Sequence, residues 1–126
     1  MIYYSGNALE FAATNLLNPD FGARSDSAKI TIVITDGKSD DNIHQSAKLL
    51  HKRSNVSHNK WVIAMTFYFK VIAIGITNDA EMAELSLIAS APYTKSINQV
   101  TDFDDLTTLV DTVLDTLCTI RYISQI

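Results

Sequence analysis

Two short runs constrain this chain more than anything else in it: Ile30–Thr35 (ITIVIT) and Val71–Thr77 (VIAIGIT). Both are rich in β-branched residues, and neither alternates apolar with polar. A strand that is apolar on both faces belongs inside a parallel sheet with helices on either side. The first run stops at Asp36-Gly37 and the second at Asn78-Asp79. Each strand therefore delivers a carboxylate to its carboxyl end.

The segments between these runs read as helices. In Asn7–Leu17 the residues Leu9, Ala12, Ala13, Leu16 and Leu17 recur at three- and four-residue steps. That spacing makes one apolar stripe, with Ser5 or Asn7 as a cap and Asn18-Pro19 as the stop. Ser39–Arg53 is expected to be a second helix, N-capped by Ser39, with Asp40 and Asp41 in its first turn and Lys48, Lys52 and Arg53 towards its end. This charge order complements the helix dipole. A short helix over Ala80–Ala89, a third strand over Ser96–Val100 and a last helix capped by Asp102 follow. The apolar stripe of that last helix is Leu106, Leu109, Val110, Val113, Leu114 and Leu117. Alternation of helix and strand is the grammar of a right-handed, parallel α/β sheet, in which ligands bind at the carboxyl ends of the strands.

One domain is all that 126 residues hold. With 47% apolar and 19% charged residues the composition is globular. A net charge of −4 with no Lys/Arg stripe excludes nucleic acid as the expected partner. The opening MIYYSGNALEF has no signal-peptide pattern. A lone cysteine, Cys118, is open to two readings: a small apolar residue one turn after Leu114, or half of a bridge to another chain or segment. Between Arg53 and Val71 the chain runs NVSHNKWVIAMTFYFK, longer than the usual connection of about two to six residues. Trp61–Phe69 would suit an extra strand. Even joined to the next strand it is too short and too broken by Lys70 for a membrane span, which needs about twenty residues.

No dinucleotide fingerprint, P-loop, HExxH or GxSxG elbow is present. His44, His51 and His58 recur every seven residues, which is not a zinc spacing, and they read as exposed. The acidic turn remains. Asp36, Asp40 and Asp41, with the hydroxyls of Thr35 and Ser39, are hard oxygen donors suited to Mg²⁺, Mn²⁺ or Ca²⁺. Asp40 and Asp41 also serve simply as favourable charges at a helix start. Asp36, at the end of a buried strand, needs a metal or hydroxyl partner to offset desolvation.

Four segments in order resemble a von Willebrand factor A domain of the collagen and matrilin type: SGNALEFAATNLL, KITIVITDGKSDD, VIAIGITNDAEMAEL and VTDFDDLTTLVDTVLDTLC. The resemblance covers nearly the whole chain outside residues 57–69. It implies a doubly wound, Rossmann-like open sheet, mainly parallel, and protein–protein adhesion through a divalent cation at its carboxyl edge. The family holds that cation with an Asp-x-Ser-x-Ser loop, a threonine and a third-loop aspartate. By this resemblance Asp36 is the third-loop aspartate, Ser5 is a second-loop hydroxyl, and Tyr3 stands where the threonine would be. Asp40, Asp41 and Ser39 fall beside the site as partner-binding candidates.

The departures carry expectations of their own. The Asp-x-Ser-x-Ser loop and the strands around it have no counterpart in the chain, so residues 1–126 read as a partial domain. Mg²⁺ or Mn²⁺ is then expected to bind weakly or not at all, because Mg²⁺ demands near-octahedral oxygen geometry. The strand Ile30–Thr35 is expected to form an open, aggregation-prone edge. Deleting Ser57–Phe69 leaves NVKVIAIGIT, an uninterrupted family strand, so 57–69 reads as an insertion, from a retained intron or gene-model error. Asn55 of Asn55-Val56-Ser57 is a glycosylation acceptor that depends on that piece. The resemblance also makes Cys118 one half of a disulfide whose partner lies before the first strand.

The function that follows is an extracellular, secreted adhesion module of a longer protein, not an enzyme, with matrix or cell-surface proteins as partners. Two alternatives stand beside it. One is a metal-dependent phosphoryl-transfer or hydrolase-type enzyme using Asp36, although Lys38 occupies the place where a second aspartate would be needed. The other is a non-functional truncated product.

Overall fold

The computed structural model describes residues 2–24, 29–54, 69–91 and 93–123. Three parallel strands form one sheet in the order β1-β2-β3: β1 Lys29–Thr35, β2 Phe69–Ile76 and β3 Ile97–Val100. The helices are α1 Ser5–Phe11, α2 Ile43–Ser54, α3 Met82–Ile88, a single turn α4 Tyr93–Ser96, and α5 Val110–Ile123. This is the open parallel α/β sheet expected from the two apolar runs.

The core lies on one face. Leu9, Ala12 and Ala13 from the first helical segment, Ile43, Ala47 and Leu50 from α2, and Leu85, Ile88 and Ala89 at α3 close over Val71 and Ala73, with Val33 and Ile97 against them. On β2 both faces are buried, Val71 through Ile76, as a central strand requires. On β1 the expectation of two buried faces fails. Ile32 pairs with Ile72 in the register, so Ile30, Ile32 and Ile34 share a face with Ile72 and Ile74, yet they are 38%, 43% and 55% exposed. The reason is position: among the described strands β1 ends the order, so cover over the middle strand does not extend to it.

Several local readings change. The first helix begins at Ser5 and widens into a π-helical turn over Ala12–Leu16, closed by Leu17 N–H on the Ala12 carbonyl at 3.0 Å. In that turn the Thr14 hydroxyl donates to the Glu10 carbonyl at 2.8 Å, competing for an acceptor the α-helical ladder would use. The helix expected from Ser39 starts only at Ile43, and the Asn42 side chain takes the His44 amide at 2.9 Å. Ser39 is therefore not its cap, and Asp40 and Asp41 are not in its first turn.

Asp102 does cap the last helical run, accepting the Asp105 amide at 3.1 Å. That run opens as a 3₁₀ helix, Asp104–Leu109, before α5. Three residues per turn in the first part keep Leu106 and Leu109 in line with Val113 and Leu117, all half-buried, and leave Val110 and Leu114 on the outside. Cys118, one turn beyond Leu114, is exposed with them rather than part of the core. Replacing Asp102 by alanine is expected to cost about 1 kcal/mol, read as a lower urea midpoint at unchanged slope.

His44 is exposed, while His51 is half-buried with Nε2 3.3 Å from the Leu87 carbonyl oxygen. The glycosylation candidate Asn55, Ser57 and His58, and residues 57–68 of the insertion, lie outside the described residues. No helix among the described residues is long and apolar enough to cross a membrane.

Candidate functional site

The carboxyl ends of β1 and β2 open into a cleft of about 430 Å³ lined by Tyr3, Asp36, Gly37, Lys38, Asp40, Asn78, Asp79 and Glu81. Sequence order alone brings the Asp36 and Asn78-Asp79 turns to this edge. Tyr3 arrives from the start of the chain.

That arrival is held by a set of carboxylate anchors. The Asp40 carboxylate accepts the Tyr3 amide at 2.7 Å, and the Asp40 amide donates to the Tyr3 carbonyl at 2.8 Å. Asp41 accepts the amides of Gly6 and Asn7, both at 2.8 Å, and the Ser39 hydroxyl. The Ser39 hydroxyl oxygen also takes the Ser5 amide at 3.0 Å. From the other side, the Glu84 carboxylate in the first turn of α3 accepts the Ser39 amide at 3.0 and 3.3 Å. Helix α1 has no cap from its own side chains; Asp41, 35 residues away from Gly6, supplies it. A Cβ on Gly6 would stand 2.8 Å from an Asp41 carboxylate oxygen, so the clamp closes only over glycine.

Charge chemistry follows this geometry. Burial pushes the Asp41 carboxyl up, but the hydrogen bonds from Ser39 and from the amides of Gly6 and Asn7 outweigh it and hold the group below its ordinary range. The Tyr3 phenol is shifted upward, first by burial, then by the negative charge of the Asp36 carboxylate, with smaller contributions from Asp79 and Asp40. Across the mouth Lys38 pairs with Glu81 at 3.2 Å; both are largely exposed, so the pair is worth little.

Thr77 ties the strand ends together in a left-handed conformation, φ 68°, costly for a β-branched residue. Its amide donates to Val100 at 2.8 Å, its carbonyl accepts the Gln99 side chain at 3.1 Å, and its hydroxyl donates to the Asp36 carbonyl at 3.4 Å. Thr77 reads from sequence only as the last residue of a strand, and Glu84 only as a helix residue. Nothing in the local pattern marks either as part of the site.

Of the residues singled out from sequence, Asp36 and Asp40 line the cleft. Ser39 is buried and Asp41 half-buried, both engaged inside the fold as anchors. Ser5 is half-buried beside Ser39 and is not part of the lining.

The von Willebrand factor type A domain model matches residues 3–112. The chain belongs to this family. Among its relatives, the human collagen alpha-1(XX) chain is 34% identical over 115 residues, covering 91% of this chain and 8% of the collagen. Human matrilin-1 is 33% identical over 99 residues, covering 79% of this chain and 17% of its own. A solved structure of proximal thread matrix protein 1 from the mussel byssus, with a zinc-occupied MIDAS motif, superposes with a TM-score of 0.72 at 27% identity, covering 91% of this chain and 26% of that one. The von Willebrand factor A chain thus spans only a small part of these relatives, which are matrix proteins.

The family implies a divalent cation at this edge. In this von Willebrand factor A chain two of the carboxylates that would have to converge on an ion are otherwise engaged: Asp40 by the Tyr3 amide and Asp41 by α1. No group of three His, Cys, Asp or Glu among the described residues is placed to hold a metal. This arrangement does not fit a near-octahedral Mg²⁺ or Mn²⁺ shell.

Proposed function

We propose that this chain is a protein-binding module of an extracellular, secreted matrix protein, and that it meets its partner at the carboxyl edge of the sheet. The observation that carries the reading is the cleft at the ends of β1 and β2, walled by Asp36, Asp40 and Asp79 and held rigid from behind by Asp41, Ser39 and Glu84. In this reading Asp36, Asp40 and Asp79 supply the contact. Ser39 and Asp41, candidates for contact on sequence grounds, act by fixing the loop. The family supports adhesion rather than catalysis, and the open sheet edge is where α/β folds bind ligands. Residues 1–126 act as one partial domain within a longer matrix protein.

Surface-plasmon titration of the full chain over a panel of purified collagens and other matrix glycoproteins tests this. Saturable binding to at least one is expected, weakened about tenfold or more by Asp79→Ala, the size of effect of removing one well-placed interfacial charge. Among the described residues the Asp79 carboxylate takes no backbone amide, and its own amide bond to Thr77 does not need the side chain, so its loss spares the fold. Lys52→Ala, at the far end of α2, is expected to bind like wild type. Equal binding by wild type and Asp79→Ala would move the interface elsewhere.

A further inference from the structure

The Asn78-Asp79 turn brings one of the carboxylates to the cleft, and it starts from an awkward backbone. Thr77, which opens it, sits at φ 68°, a conformation a β-branched residue keeps only where its surroundings impose it. The ladder between β2 and β3 runs up to this point. Gly75 pairs with Gln99 and Ile76 with Val100, and the Thr77 amide still donates to the Val100 carbonyl at 2.8 Å. Beyond Thr77 the main chain leaves the sheet.

One side chain spans that departure. The Gln99 side-chain nitrogen lies 3.1 Å from the Thr77 carbonyl oxygen and 3.1 Å from the Ala80 carbonyl oxygen. A primary amide has two N–H donors, so it gives one to each. These two carbonyls flank the Asn78-Asp79 turn, and Ala80 stands just before Glu81, the N-cap residue of α3. The stem of Gln99 lies over the central strand: a Cβ at Gly75 would stand 3.0 Å from Ala80 Cβ and 3.6 Å from Gln99 Cγ. Gln99 itself is exposed and is not part of the cleft lining.

We propose that Gln99 is the positioning residue of the docking edge: its amide clips both ends of the Asn78-Asp79 turn to β3 and so holds Asp79 at the cleft. It acts through Asp79 and does not touch the partner. The inference rests on the reading that this edge is the docking face, and part of its test needs no partner.

Two variants of the full chain carry the test. Gln99→Met keeps an unbranched stem over Gly75 and loses both donors. Gln99→Glu keeps the shape and sets carboxylate oxygens against the two carbonyls. Neither empties the core, because Gln99 is exposed. Amide nitrogen relaxation is expected to give order parameters of about 0.85 at Asn78 and Asp79 in wild type and below about 0.6 in both variants, with Asp36 and Gly37 unchanged. In the matrix-protein titration Gln99→Met is expected to bind about fivefold or more weakly than wild type. Gln99→Met combined with Asp79→Ala is expected to bind no more weakly than Asp79→Ala alone, since both act on one contact. A turn as well ordered in the variants as in wild type overturns the proposal. So does loosening spread over the whole chain, which would make Gln99 a packing residue. Undiminished binding by Gln99→Met, or additive losses in the double variant, overturns it as well wherever Asp79→Ala weakens binding. If Asp79→Ala binds like wild type, the docking face lies elsewhere, and the order of the turn in Gln99→Met alone decides whether Gln99 holds Asp79.

Discussion

Leu85→Ala is expected to cost about 3–5 kcal/mol, the upper half of the range for a buried leucine. Leu85 is fully buried on α3 and joins the helical layer to β2. What makes the site severe is its floor. A Cβ at Gly75 would stand 2.8 Å from Leu85 Cδ1 and 3.0 Å from Ala80 Cβ, so the leucine fills space above two of the smallest residues, one of them on the central strand. Neither neighbour can collapse into the void, and the cavity term stays whole. Domains of this size hold about 5–15 kcal/mol in total, so the variant sits near the folding threshold. Urea unfolding should show a lower midpoint at unchanged slope. A second effect follows from Glu84, the preceding residue. If α3 shifts, the carboxylate that anchors the Ser39 amide shifts with it. A loss below about 1 kcal/mol would mean that Leu85 is not the wedge between α3 and β2.

Asp41→Ala ranks next, at about 2–4 kcal/mol. One carboxylate accepts the Gly6 and Asn7 amides and the Ser39 hydroxyl, so its removal strips α1 of its cap and separates two segments about 35 residues apart in sequence. Asp41→Asn keeps one carbonyl acceptor and is expected to lose roughly half as much. The acid response gives an independent check. The Asp41 carboxyl is held below its ordinary value in the fold. A depressed carboxyl contributes stability that is fully present above the unfolded-state value and is lost as pH falls through the folded-state one. Wild type should therefore lose part of its stability as pH drops below about 4, and Asp41→Asn should lack that part of the slope. Identical acid limbs in the two proteins would show that the clamp does not depend on the charge.

Exposure along β1 bears on handling of the protein. Ile30, Ile32 and Ile34 lie open on the strand that ends the sheet among the described residues, the combination by which sheets recruit further strands. The sequence predicts the edge, but not that one whole face of the strand would lie open with it.

Where periodicity and composition speak, the sequence was sufficient. ITIVIT and VIAIGIT had to be strands of a parallel sheet, and their carboxyl ends had to bring Asp36 and Asp79 to one rim. Asp102 signalled its helix start correctly because a cap and the amide it accepts are local neighbours. The same local rule misassigned Ser39, Asp40 and Asp41, which resemble a helix start yet serve residues 34 to 37 positions upstream. The Tyr3 ring packed on Gly37, Glu84 under Ser39, and the bare side of β1 likewise came only from the tertiary arrangement. Apolar spacing records which side of an element avoids water, and that is encoded within a turn or two. A hydrogen-bond partner is chosen by whichever loop the finished sheet carries alongside, and no stretch of neighbours in the chain contains that information.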